Sequence, residues 1–298
     1  MARKRKEKRS NSVYLFICIV VAICLAYEPL TSLTEQGVTG DTPEQQDRAD
    51  SQQGTQERKP LSKMPEKSSG MELPASLKES RSELILERMG YTVSFNAKWN
   101  LPNWVAWELN RDKLVERESR NNKFLPDPDL QNGKAVTTDD YTNSGYDRGH
   151  MCPAGDNRWH WRAMQESFYM TNICPQDHNL NRGDWKELEE KCRTWAEQEG
   201  SIYIVCGPIL YKKKHQSIGK EHRILVPEAF FKVVLSLNGD QPKAAGFIFK
   251  NSSGNRKLSA YINTVDEVER ITGIDFFPRL PDDVEQKVEA EIGSFSGI

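Results

Sequence analysis

Between Tyr91 and Phe249 the chain carries five short runs of β-branched and aromatic residues, at 91–95, 104–109, 201–206, 230–236 and 244–249. Gly, Pro or Asn bounds most of them, which is how strands read in a sequence. Helical periodicity is scarcer. Trp185, Leu188, Cys192, Trp195 and Ala196 recur at the spacing of one helix face, and Gly200 is a suitable stop. Further helices are expected over 159–168 and 265–271. Strands that do not alternate regularly with helices argue against a parallel βαβ sheet. The expected class is α+β, a largely antiparallel sheet flanked by helices.

Apolar density stays high from Leu84 to Leu280 with no second linker, so one domain over 81–281 is expected. The overall formal charge of −2 hides an uneven distribution. Met1 to Arg9 holds six Lys/Arg and one Glu, whereas 28–79 carries ten acids against six bases. The stretch 282–298, with five acids and one lysine, reads as an acidic tail. Between 80 and 281 the balance is near neutral, so a nucleic-acid partner would need a local basic groove rather than a global field.

A basic start, Arg3-Lys4-Arg5-Lys6, precedes an unbroken apolar run of 15 residues at 13–27. That length fits the core of a signal peptide and falls short of the roughly 20 residues of a full span. Residues 1–30 therefore read as a signal peptide or an N-terminal membrane anchor, and both readings export the rest of the chain. The segment 31–80 is rich in Gln, Glu, Asp, Ser, Thr and Gly. It is expected to be a disordered polar linker, because such a composition cannot bury enough apolar area to offset its ordering entropy.

Two clusters carry chemistry. The first is Asp147-Arg148-Gly149-His150. The second runs from Asn172-Ile173-Cys174-Pro175-Gln176 through Leu180-Asn181 and Trp185 to Glu189 and Arg193. Glu189 and Arg193 are four apart and share a helix face. Asn181 lies two turns before Glu189 if the helix begins that early. These residues are the parts needed for phosphodiester hydrolysis. His150 can deprotonate water, the amide oxygen of Asn181 can hold a hard divalent metal, and Arg148 and Arg193 can neutralise charge developing on phosphorus.

In order and spacing the two clusters resemble those of the DNA/RNA non-specific endonucleases of the ββα-metal superfamily. The similarity extends through Cys206-Gly207-Pro208 and 226–233 to the segment 266–278. It implies a β-ribbon bearing the first motif and a helix crossing it that bears the metal ligand. By position His150 matches the general base, Asn181 the direct ligand of Mg²⁺ (with Mn²⁺ as a substitute), and Glu189 the residue orienting water on that metal. Arg148 and Asn172 match transition-state and positioning residues, and Arg193 a phosphate contact. Asp147 is expected to anchor the ribbon. DNA and RNA are the implied substrates, with no organic cofactor. Two departures stand out. Arg182 follows Asn181 where Gln is common, and an arginine some members carry before an aromatic and an Asp-Pro pair has no assigned counterpart among Arg120 and Lys123.

Bland readings cover the remainder. Cys152, Cys174, Cys192 and Cys206 leave room for one or two disulfides in an exported domain. A Cys152–Cys174 bridge is open, while Cys192 and Cys206 read as buried thiols. His160, His178, His215 and His222 read as surface or loop residues, Lys212–His215 as a loop or groove extension, and Trp159 and Trp161 as core. Two other functions compete with the nuclease: a catalytically silent domain that binds nucleic acid or protein, and a phosphodiesterase for small nucleotides.

Overall fold

The computed structural model describes residues 70–130, 135–238, 242–252 and 254–298. All of them fall within one compact unit, Arg58–Ile298. The expectations for residues 1–69, including the apolar run at 13–27, lie outside the described residues. Among those described, no helix is long and apolar enough to cross a membrane.

A seven-stranded antiparallel sheet runs in the order β1-β2-β3-β6-β9-β10-β11. Its strands are β1 (Leu84–Glu87), β2 (Thr92–Asn96), β3 (Leu101–Asn110), β6 (Ser201–Ile209), β9 (Ala229–Ser236), β10 (Lys243–Lys250) and β11 (Ile262–Asn263), while β7 (Ser217–Ile218) and β8 (Ile224–Leu225) pair separately. All five expected runs are strands. The sheet is covered on both faces, and this explains why the runs in its central strands are mostly apolar rather than alternating strictly with polar residues. In β9 all eight residues are buried. Phe230 and Val234 join one core with Val105, Trp107 and Ile204, and Phe231, Val233 and Leu235 join a second with Trp104 and Val205.

Helices α1 (Trp161–Ser167), α2 (His178–Arg182), α3 (Asp184–Glu199), α4 (Val265–Thr272) and α5 (Asp282–Ala290) complete the fold. Helix α3 presents the expected face, burying Trp185, Leu188, Cys192, Trp195 and Ala196 in the first core. It ends at Gly200, whose φ of 84° favours glycine. Helices α4 and α5 cover the other face with Val265, Val268, Val284 and Val288. The class is α+β, as expected.

Several expectations need correction. The acidic segment after 281 is folded: α5 occupies it, and Phe295 beyond it is buried against Trp195. Residues 70–80, grouped with the linker by composition, are ordered against the domain, with Met71 only 1% exposed and the Ala75 N–H donating to the Asp275 carbonyl at 2.9 Å. Trp161 is not core but 59% exposed, because helix α1 turns its first residue to solvent. Cys152 and Cys174 are free buried thiols, as are Cys192 and Cys206. Two histidines anchor loops. His215 Nδ1 lies 3.0 Å from Glu228, and His222 Nδ1 lies 2.8 Å from Asp140. The Asp140 carboxylate also accepts the N–H groups of Lys220, Glu221 and His222.

Candidate active site

A two-stranded antiparallel ribbon, β4 (Asp147–His150) with β5 (Ile173–Gln176), stands apart from the main sheet. Gly149 faces Cys174 across it, and a Cβ on Gly149 would come within 2.2 Å of Gln176 Oε1 and 2.7 Å of its Cβ. Only glycine allows that approach. Asn172 fixes the end of the ribbon. Its Nδ2 donates to the carbonyls of Cys152 and Ser167, both at 2.8 Å, and its Oδ1 accepts the Cys152 N–H at 2.9 Å. The side chain is completely buried. Asn172 thus positions the backbone just past His150 and does not line the cleft described below. From the helix side, Trp185 Nε1 donates to the His150 carbonyl at 3.3 Å.

Asn181 and Glu189 do not share one helix. The chain breaks at Gly183, which ends α2 and begins α3. Asp177 caps α2 by accepting from the N–H groups of Asn179 and Leu180. Despite the break, Asn181 and Glu189 line one cleft of about 310 Å³. The ribbon supplies Arg148 and His150 to it, α2 supplies Asn181 and Arg182, and α3 supplies Lys186, Glu189 and Arg193. Arg120 and Phe124 close it from an upstream loop. Five cations therefore surround a single carboxylate, Glu189, in a chain whose net charge is −2. This is the local basic groove an anionic substrate needs. A larger cleft of about 740 Å³ lies beyond Arg193 between Arg111, Val115 and Glu197, and Arg193 is the one candidate site residue that it shares.

The His150 ring meets Phe168 edge-on at 4.8 Å and Phe124 at 5.3 Å. It is 8% exposed, and its buried Nε2 has no hydrogen-bond partner. Burial, reinforced by the charge of Arg120, pushes its pKa down to about 3, so the imidazole is neutral and able to accept a proton at working pH. Burial pushes Glu189 up to about 7, with Asp156 adding to the rise while Lys232, Arg193 and Arg120 oppose it.

Arg193 does not support Glu189 by a direct bond. Its Nη1 donates to Asp156 Oδ1 at 2.9 Å, and Asp156 Oδ2 accepts from Trp107 Nε1 at 3.1 Å. Burial pushes the Asp156 carboxyl up, whereas Arg193 and Lys232 pull it down. We take the pair as charged at neutral pH, because protonating Asp156 would leave the guanidinium and Lys232 without an anion. Asp147 anchors more than the ribbon. Its Oδ2 accepts from Asn181 Nδ2 at 2.9 Å, and its Oδ1 lies 3.2 Å from His178 Nδ1. Burial opposes ionisation of Asp147, but these hydrogen bonds and the charge of Arg182 hold its pKa below the usual range. With the amide nitrogen committed to Asp147, the oxygen of Asn181 is the atom left for a cation. One amide oxygen plus waters, with Glu189 in the same cleft, is a donor set suited to a hard, strongly hydrated ion.

Sequence reasoning left two contributors unassigned. Arg120 lies 5.9 Å from the Phe168 ring and is the charge acting on His150. Lys232, from β9, is completely buried beneath the cleft, with Nζ 4.4 Å from the Trp185 ring and 5.6 Å from that of Trp107.

Comparison with known proteins agrees with this geometry. The family model described as DNA/RNA non-specific endonuclease matches residues 73–283. The mouse protein named "Nuclease EXOG, mitochondrial" is 31% identical over 231 residues, covering 68% of this chain and 62% of that protein. "Nuclease C1" of Cunninghamella echinulata is 34% identical, covering 65% of this chain and 83% of its own. A solved EndoG/EndoGI complex superposes with a TM-score of 0.61 at 26% identity, covering 66% of this chain and 86% of that one. Across the four EXOG relatives, the chain spans 56–63% of the relative's length.

Proposed function

This chain belongs to the DNA/RNA non-specific endonuclease family, and from that premise we propose that it is a Mg²⁺-dependent nuclease hydrolysing phosphodiester bonds of both DNA and RNA. The observation that carries the reading is the convergence of His150, Asn181, Glu189 and four arginines on one cleft. His150, which lines the cleft and is neutral at working pH, takes the proton from the attacking water. Arg148, Arg193 and Arg120 hold the scissile phosphate and neutralise the charge that builds on its oxygens in the transition state. Glu189, once ionised, orients water across the cleft from His150. A divalent cation held through Asn181 Oδ1 would supply Lewis-acid stabilisation of the leaving 3′-oxygen. Mn²⁺ is expected to substitute.

Neither competing function accounts for as much. A silent binding domain has no use for an unpartnered, neutral histidine among arginines, and a small-nucleotide phosphodiesterase has little use for a five-cation cleft. The test is incubation of the full chain with plasmid DNA, with total RNA and with a chromogenic small phosphodiester, with and without Mg²⁺. Metal-dependent cleavage of both polymers is expected, faster than of the small ester. Tight binding of DNA without cleavage would instead favour the binding domain.

We read the basic and apolar start at 1–30 as an export signal or anchor, because a mitochondrial transit peptide is amphipathic and this run is not. The word "mitochondrial" in the names of several relatives belongs to those proteins. Fractionation of the tagged full chain decides between the two addresses.

A further inference from the structure

Helices α4 and α5, on the sheet face opposite α3, pack together through valines while bringing acids into contact. Asp266 and Glu269 stand one turn apart on α4, and Glu289 comes from α5. One carboxylate oxygen from each lies within 4.8 Å of the other two, so a small side-chain adjustment brings all three to roughly 2.4 Å from a single ion, the Ca²⁺–oxygen distance. Glu289 is only 7% exposed, and its Oε1 has no hydrogen-bond partner. A buried carboxylate oxygen without a partner needs an explanation.

The surroundings deepen the conflict. Burial and then Glu269, Glu285, Asp266 and Asp275 push Glu289 up to about 9. Burial followed by Asp275, Asp266 and Glu285 brings Glu269 to about 7, although it accepts the Phe276 N–H at 2.6 Å. Arg270 on the same helix is committed to Glu267. Apolar contacts from Val265, Val268, Val284 and Val288 force like charges together, and either protons or a cation must resolve it.

We propose that Asp266, Glu269 and Glu289 form a structural Ca²⁺ site that ties α5 to α4. The donors are all carboxylate oxygens, with no imidazole or thiolate, which selects a hard cation over zinc or copper. Carboxylates drawn from two helices form a flexible set, which suits Ca²⁺ better than the strict octahedron of Mg²⁺. The site lies on the sheet face away from the cleft, so its role is to hold the C-terminal helix in place.

The test uses the full chain carrying Asn181→Ala, so that the cleft's own cation cannot report. Adding Ca²⁺ at about 1–5 mM after EDTA should raise Tm by roughly 3–8 °C. Mg²⁺ should raise it less, and calorimetric titration should give one Ca²⁺ per chain. Asp266→Asn, at an exposed position, should weaken Ca²⁺ binding by at least about tenfold. Glu289→Gln should raise Tm in EDTA, because the buried carboxyl must take up a proton on folding and the amide need not, and abolish the response to Ca²⁺. No Ca²⁺ response in the Asn181→Ala chain overturns the proposal, as does a response unchanged by Asp266→Asn. Because the readout is thermal, either result leaves the nuclease reading standing.

Discussion

Asp147 Oδ2 accepts a hydrogen bond from Asn181 Nδ2 at 2.9 Å, joining the first residue of the ribbon to the helix that follows it. A carboxylate can only accept here, so the bond fixes which end of the Asn181 amide faces away. Asp147→Asn keeps the shape but allows the amide to flip. The apparent affinity for Mg²⁺, read from a metal titration of the cleavage rate, should fall by about 10-fold or more, with smaller loss at saturating metal. An unchanged metal titration would show that Asp147 serves the ribbon alone.

The pH profile separates the two titratable residues of the cleft. His150 stays neutral down to about 3, so it cannot set an acid limb near the usual histidine value. Glu189, at about 7 before any cation approaches, gains its proton as pH falls and so sets that limb, which a bound metal moves lower. The rate of Glu189→Gln should be low but nearly flat between about pH 5 and 8. A limb near 6.5 surviving in that variant would mean His150 titrates there.

The same depressed histidine affects stability. Its folded pKa lies below the unfolded value near 6.5, so below that pH the unfolded chain binds the proton more readily. The penalty grows as pH falls from about 6.5 toward 3. His150→Phe, which removes the titrating group, should therefore flatten the loss of Tm over that interval. An equally steep loss in both proteins would place the acid lability elsewhere.

Lys232 connects the core to the cleft. It has no hydrogen-bond partner, sits between Trp185 and Trp107, and its charge opposes the rise of Glu189. Lys232→Met preserves length and removes the charge. The Glu189-controlled limb should move to higher pH, although Lys232 touches no substrate. A fold left intact with an unmoved limb would rule out this electrostatic role.

Asn172 and Arg148 should part company under mutation. Asn172→Ala strands buried backbone groups at Cys152 and Ser167, and urea unfolding should show a loss of about 2–4 kcal/mol. Arg148, half-buried over the Phe124 ring at 5.0 Å, should give Arg148→Ala near-parent stability with strongly reduced cleavage. Equal destabilisation by both would contradict the division between positioning and chemistry.

The strands were legible because a sheet covered on both faces buries its central strands along their whole length, so β9 reads as apolar but for Lys232 and Ser236. The same fact hid Lys232, since a lone lysine within a strand normally signals a solvent-facing position. Helix α3 was legible from its five-residue apolar face, whereas α5 offers only Val284 and Val288 among acids. Its burial comes from the valines of α4, a tertiary fact. The break at Gly183 escaped notice because the pattern on either side of it remains helical. His150, Asn181 and Glu189 were found through motif order, while Arg120 needed the fold, which brings a loop thirty residues upstream against the ribbon.

The most direct test of the central claim is the rate of Mg²⁺-dependent cleavage of plasmid DNA and RNA by the full chain and by its His150→Ala variant. The parent should cleave both polymers only with the cation present, and the variant should be slower by about 10²–10⁴-fold with its fold and metal response intact. Cleavage undiminished in His150→Ala, or a parent inert with Mg²⁺, would contradict the account.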